Sequence, residues 1–257
     1  MPADEIWTYL ALAVCAFVAG AINSIAGGGT LLTFPALTMT MAANFANATS
    51  TVALLPGSFA GAIAYRKELA PSRRFVLRMI GPSIVGGFLG ALFVGIYPKL
   101  FNGLVPWLVL TAALLFVAQA PVSRFMKAHR PNQEPGAAVQ IGLVAFQFLI
   151  GIYGGYFGAG IGILMITTLT FMGVGDIHRV NAVKTFLAAT INGASVIVFI
   201  DFDLVRWPFA AAMVPSAILG GYLGARVARR LPARYVRYAV IAIGFGLSIF
   251  YFVRQYG

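Results

Sequence analysis

Charge is what this chain has least of: only 10% of its 257 residues are Asp, Glu, Lys or Arg, whereas a soluble domain carries roughly 25%. So few charges cannot clothe a globule facing water on all sides, but they suffice for the loops of a helix bundle in a bilayer. Acidic residues number seven, which leaves no carboxylate pair inside any apolar run and weakens the case for acid/base catalysis. Cysteine is nearly absent: Cys15 stands alone within an apolar run, so an intrachain disulfide and a cysteine metal site are excluded. The two histidines, His129 and His178, lie far apart, and no metal is expected. No Ser/His/Asp set appears, and no phosphate loop with a following Lys-Ser/Thr; Gly27-Gly28-Gly29 lacks the strand-turn-helix context of a dinucleotide fingerprint. No cofactor and no enzyme activity are expected.

What is abundant is apolar. Hydrophobic residues make up 60% of the chain, and the mean hydropathy is +0.88. A helix crossing the hydrocarbon core needs about 20 residues, since 1.5 Å of rise per residue must cover roughly 30 Å. Apolar stretches of that order run over 6–25, 48–64, 79–96, 100–118, 139–157, 183–200, 209–225 and 238–253. Two shorter ones, 30–41 and 161–172, each follow a glycine-rich break and have the length of marginal spans or half-helices. The expected fold is all-α: a polytopic bundle of ten segments in the lipid bilayer. The start, Met1 to Glu5, has no positively charged region, so the first run is expected to be a retained membrane segment.

The chain repeats itself. Phe17-Val-Ala-Gly20 followed by Gly27-Gly28-Gly29 recurs as Phe148-Leu-Ile-Gly151 followed by Gly158-Ala159-Gly160, at one offset throughout. Asn47-Ala-Thr-Ser-Thr51 recurs as Asn181-Ala-Val-Lys-Thr185, Gly86-Gly-Phe-Leu-Gly-Ala91 as Gly220-Gly-Tyr-Leu-Gly-Ala225, and Pro98 as Pro232. Four matches in one order define a first repeat over 1–120, a linker over 121–137 and a second repeat over 138–257.

The net charge of +11 sits in short clusters between apolar runs, where anionic headgroups and the preference of Lys and Arg for the cytoplasm account for it; nucleic acid is not an expected partner. The clusters also orient the repeats. Arg66, Lys67, Arg73, Arg74 and Arg78 fill one loop of the first half, but its counterpart, 201–206, has a single Arg and two aspartates. Conversely, Tyr97-Pro-Lys99 is poor in charge while its counterpart holds Arg226, Arg229, Arg230, Arg234 and Arg237. The bias swaps sides, which predicts two repeats of five segments in opposite orientations. The linker, with Arg124, Lys127 and Arg130, is then cytoplasmic, and both termini face outward, as Asp4 and Glu5 suit.

Inverted repeats with broken helices place a solute site near mid-membrane. The breaks are Asn23-Ser24-Ile-Ala-Gly27-Gly28-Gly29-Thr30 and Gly154-Gly-Tyr-Phe-Gly158-Ala159-Gly160. A short helix starting after each presents free N–H donors and about half a positive charge, an anion site; Ser24 and Thr30 would add hydroxyls. The plainer reading is that these glycines only allow close packing, and that reading is preferred for Gly86–Gly90 and Gly220–Gly224. A second cluster comprises Asn47, Thr49, Ser50 and Thr51, matched by Asn181, Lys184 and Thr185, with Asn192 two turns on. Lys184 opens an apolar run, where an ammonium is costly and signals function; a lysine snorkelling to the interface is the alternative. Asp176, His178 and Arg179 read as a solvated loop.

The run Ala21-Ile-Asn-Ser-Ile-Ala-Gly-Gly-Gly-Thr-Leu-Leu-Thr-Phe-Pro-Ala-Leu37 with Ala46-Asn-Ala-Thr-Ser-Thr51, and its partner Gly154-Gly-Tyr-Phe-Gly-Ala-Gly160 with Asn181-Ala-Val-Lys-Thr185, resembles the sulfite exporter TauE/SafE family of bacterial membrane permeases. The resemblance spans essentially the whole chain. It implies a multi-pass protein of the bacterial inner membrane that transports small sulfur-containing anions such as sulfite, thiosulfate or organosulfonates. By it the glycine turns and the Asn-Ala-x-x-Thr segments line the path. Thr49-Ser50 departs from the polar-then-Lys pattern of some members, so only the second half keeps a lysine. A drug or metabolite exporter on the same plan, kept open by Tyr153, Tyr156 and Phe157, and a non-transporting membrane subunit are the rival readings. Homo-oligomerisation is left open.

Overall fold

The computed structural model describes residues 3–25, 27–128, 136–175, 177–227 and 233–256, and the side chains of all these except 3–4, 122–128 and 233–236. Ala26, His129, Arg130, Asp176, Arg229, Arg230 and Pro232 therefore lie outside the described residues, as do the side chains of Asp4, Arg124, Lys127 and Arg234. Every element among the described residues is helical. In chain order they are α1 (Ala3–Ile25), α2 (Thr30–Thr38), α3 (Ala43–Ala64), the single turn α4 (Arg66–Leu69), α5 (Arg73–Ile96), α6 (Pro98–Ala128), α7 (Ala137–Tyr156), α8 (Ile161–Phe171), α9 (Ile177–Asp201), α10 (Trp207–Val227) and α11 (Ala233–Tyr256).

Seven helical stretches among the described residues are long and apolar enough to cross a membrane: α1, α4 running into α5, α6, α7, α9, α10 and α11. The short α2 and α8, with 9 and 11 residues, rise only about 14 and 16 Å, half of a hydrocarbon core. Neither crosses by itself. Although α3 has 22 residues, it is lined with Asn44, Asn47, Thr49, Ser50 and Ser58 on its buried side and lies within the bundle.

The distribution of polarity is the reverse of a water-soluble protein. Trp7, Val14, Leu77, Ile141, Ile197 and Ile249 are all more than 60% exposed, while Thr33, Asn47, Thr49, Ser50, Gln147, Lys184 and Ser195 are buried at 1% or less. An apolar surface of this extent belongs against lipid.

Packing follows the glycines. The largest helix contacts are α1 on α10 and α5 on α7, followed by α3 on α10 and α5 on α9, with α6 against α11 and α3 against α9. A Cβ at Gly220 would stand 2.0 Å from the Phe17 carbonyl oxygen, and one at Gly90 would stand 2.0 Å from that of Ile152. These helices touch backbone to backbone, with no room for any side chain. The hydroxyl of Ser24 donates to the Gly221 carbonyl across the α1–α10 contact at 2.8 Å, and that of Ser195 is shared between the Ile191 carbonyl of its own helix (2.9 Å) and the Gly87 carbonyl of α5 (3.2 Å).

Candidate functional site

Both breaks stop a helix in the same way. The amide of Gly27 donates to the Ile22 carbonyl (3.0 Å), and that of Gly158 donates to the Tyr153 carbonyl (3.1 Å). Gly27 and Gly28 then take φ of 76° and 109°, and Gly158 and Gly160 take 80° and 84°. Glycine occupies this left-handed region without the cost of a Cβ against the following carbonyl. The chain re-enters a helix at Thr30 and at Ile161. The two restarts meet: a Cβ on Gly27 would lie 3.1 Å from the Gly162 Cα.

Beside this meeting point is a cavity with about 30 Å3 of space open to the centre of a water, room for about two waters. Asn23, Gly27, Gly28 and Thr30 line it from the first break, and Gly158, Ile161 and Gly162 from the second. Ser58 of α3 and Lys184, Thr185, Ala188 and Asn192 of α9 complete the wall.

The electrostatics of this cavity are one-sided. Lys184 is 1% exposed, and its Nζ has no hydrogen-bond partner among the described residues; the buried Thr185 hydroxyl has none either. None of the described acidic residues lines the cavity. An ammonium taken out of water without a counter-charge costs several kcal/mol, and Lys184 makes this cavity electropositive. The helix ends add to this. At α8 no side chain caps the start, and Gly160 supplies only backbone, leaving the positive end of the helix dipole open. At α2 the donors are used differently: the Asn23 Oδ1 accepts from the Gly28 and Gly29 amides at 3.0 and 2.8 Å.

The family model described as sulfite exporter TauE/SafE matches residues 12–251. The chain belongs to that family. It is 28% identical to a probable membrane transporter protein of Haemophilus influenzae over 93% of this chain and 92% of the relative. It is equally identical to the probable membrane transporter protein YfcA of Escherichia coli K12, over 91% and 85%. Against the probable membrane transporter protein YunE of Bacillus subtilis, the identity is 25% over 92% and 96%. With its apolar spans, this TauE/SafE chain is a multi-pass membrane protein.

Of the candidate residues read from the sequence, Asn23, Gly27, Gly28, Thr30, Gly158, Lys184, Thr185 and Asn192 surround the cavity. The remainder do not line it. Ser24 points to Gly221 as described above. Gly29 is pressed against α1, where a Cβ would meet the Ala19 carbonyl oxygen at 2.2 Å. The Asn47 amide nitrogen donates to the Tyr156 carbonyl at the end of α7 (3.1 Å), and the Thr51 hydroxyl donates to the Asn47 carbonyl (2.8 Å). The carbonyl of Ala159 accepts from the Tyr153 hydroxyl (2.8 Å), while Gly160 shapes the start of α8. The buried Oδ1 atoms of Asn47 and Asn181 have no partner among the described residues.

Ser58, Ile161, Gly162 and Ala188 line the cavity without having been singled out in the sequence. Ser58 had a signal: it stands seven residues after Thr51, as Asn192 stands seven after Thr185, which places each two turns further along the same helix face.

Proposed function

We propose that this TauE/SafE membrane transporter moves small sulfur-containing anions (sulfite, thiosulfate or an organosulfonate) across the bacterial inner membrane, with Lys184 as the fixed positive charge of the site. The observation that carries this is the buried, unpartnered Lys184 ammonium at the meeting point of two short helices. An oxyanion supplies the acceptors that Lys184, Thr185 and the start of α8 lack, through charge-assisted hydrogen bonds. The size of the cavity favours a solute of a few heavy atoms over a drug-sized one. Export from a negative interior is favoured by about 2.3 kcal/mol per charge per 100 mV.

The same proposal takes 1–120 and 138–257 as two inverted repeats of five segments, joined by a cytoplasmic linker. Its support is the reciprocal packing: the first helix of each half lies on the fourth segment of the other (α1 on α10, α7 on α5), and the third segment does the same (α3 on α10, α9 on α5). The contacts correspond residue by residue, Gly220 on Phe17 and Gly86 on Phe148. Opposed repeats about a shared cavity provide alternating access by rocking one set of helices against the other.

Purified protein in liposomes, assayed for sulfite, thiosulfate and sulfoacetate flux with and without a pH gradient, tests the reading. Flux of one of them that is lost in Lys184→Met is expected. Absence of flux for every sulfur oxyanion removes the substrate assignment, and unchanged flux in Lys184→Met removes the site.

A further inference from the structure

A second cavity, of about 350 Å3, opens where α11 ends, and Thr38, Asn102, Tyr251, Arg254 and Gln255 are among its lining residues. It lies at the opposite end of α3 from the first cavity. Ala43 lines one and Ser58 the other, about 22 Å apart along the helix axis. The short α2 reaches both: Thr30 at its start lines the first cavity and Thr38 at its end the second.

Between them stands a layer of aromatic rings. Phe157, the neighbour of the cavity residue Gly158, packs edge-on against Phe34 of α2 with centroids 5.2 Å apart. Phe34 touches Tyr251 at 6.1 Å, and Phe101 touches Phe157 at 6.4 Å. Phe34, Phe101 and Phe157 are each at most 1% exposed, so the layer is sealed. The Thr38 hydroxyl gives its one hydrogen to the Pro35 carbonyl (2.8 Å). In the hydrogen bond between Thr38 and Tyr251, the tyrosine O–H is therefore the donor. That bond ties the end of α2 to α11. The other end of α2 hangs from the left-handed Gly27 and Gly28.

We propose that the Arg254 cavity is an anion-binding exit vestibule and that α2 is its gate, with the Phe34–Phe157 contact as the barrier and the Tyr251–Thr38 bond as the latch. Arg254 offers charge-assisted donors to an oxyanion leaving Lys184, which reaches the vestibule only when α2 swings Phe34 aside. The direction of passage is the only part that rests on the anion-transport reading.

Cysteine labelling separates the gate from the transport assignment, because it needs no substrate. In a Cys15→Ser, Ala188→Cys background in sealed vesicles, a membrane-impermeant methanethiosulfonate applied to the face where α11 ends should react slowly. Tyr251→Phe should speed that reaction about five- to tenfold, the rise in open population when one buried hydrogen bond is lost, and Phe34→Ala should speed it further. Arg254→Gln should slow an anionic sulfonatoethyl reagent severalfold and leave a trimethylammonium reagent unslowed. Labelling indifferent to Tyr251→Phe overturns the gate even if Phe34→Ala fails to fold, and equal effects of Arg254→Gln on the two reagents overturn the vestibule. Faster labelling with no anion flux in liposomes keeps the gate and sinks the transported-anion reading instead.

Discussion

The two glycine breaks share a backbone and differ in chemistry. At the first, Asn23 occupies the Gly28 and Gly29 amides, and Ser50 of α3 pairs with Thr33 at 2.6 Å. At the second, Gly154 stands in the place of Asn23, and Lys184 and Thr185 of α9 stand in the places of Ser50 and Thr51, with the Lys184 Nζ and the Thr185 hydroxyl both unpaired. At one break the loop amides and the facing hydroxyl are satisfied from within the protein, and at the other an ammonium and a hydroxyl are unpaired. A repeat can thus conserve its fold in both copies while concentrating binding chemistry in one.

The largest effect expected from this contrast is at Lys184. Replacing it by Met keeps the length of the side chain and removes the only charge among the described residues that line the cavity, so kcat/KM for anion flux should fall by about two decades or more, as for loss of one member of a buried charged pair. The protein should still fold, because a buried unpaired ammonium is itself destabilising; detergent-solubilised Lys184→Met should melt at or above the parent temperature. A variant that transports normally but melts lower would make Lys184 a structural residue and erase the contrast.

A sharper test moves the lysine. If the two breaks were interchangeable, Lys184→Ser combined with Ser50→Lys would rebuild the site in the first half. Ser50 is fully buried and pinned to Thr33, and the neighbouring amides are held by Asn23, so the exchanged protein should remain as inactive as Lys184→Ser alone. Recovery to within about tenfold of the parent kcat/KM would show the asymmetry to be superficial.

A smaller effect, on stability, concerns the backbone of the second break. Gly160→Ala places a Cβ at φ 84°, 3.3 Å from Leu115 Cδ1, and should cost about 1–2 kcal/mol through the left-handed conformation alone. For a chain of this size that is a melting temperature lower by roughly 2–8 °C. Gly103→Ala in α6, where nothing lies within 4 Å, is the control and should not lower it.

Much of this was legible before any coordinates. The apolar runs foretold the long helices because 20 residues without charge have no other use, while the shortness of 30–41 and 161–172 left marginal spans and half-helices both open. Lys184 stood out as an ammonium in an apolar run, and its burial beside the cavity is what the fold adds. The hydrogen-bond partners of Ser24 and Asn47 were not. Ser24 is a serine within a glycine-rich break whether it faces a solute or the Gly221 carbonyl, and only the crossing of α1 on α10 decides. Asn23 likewise read as a ligand, and nothing in its identity told that its carboxamide would fold back on its own chain. The aromatic layer was hidden because Phe34, Phe101 and Phe157 come from three separate segments that become neighbours only in the bundle.

Asn23 gives the finest test. It lines the cavity, yet its oxygen is committed to two backbone amides. Asn23→Ala therefore has two opposed consequences. Losing two hydrogen bonds at about 0.5–1.5 kcal/mol each loosens the break, while freeing two donors at a helix start strengthens the pull on an anion. KM for flux should change by less than about threefold, even as the melting temperature falls by several degrees. The reciprocal change cannot be made cleanly: a Cβ on Gly154 would meet the Ile191 Cγ2 at 2.9 Å, so an asparagine there has to push the Ile191 side chain of α9 aside. The second break is kept open by packing as well as by composition. A large rise in KM in Asn23→Ala, with an unchanged melting temperature, would instead make Asn23 a ligand and the two breaks more alike than their hydrogen bonds indicate.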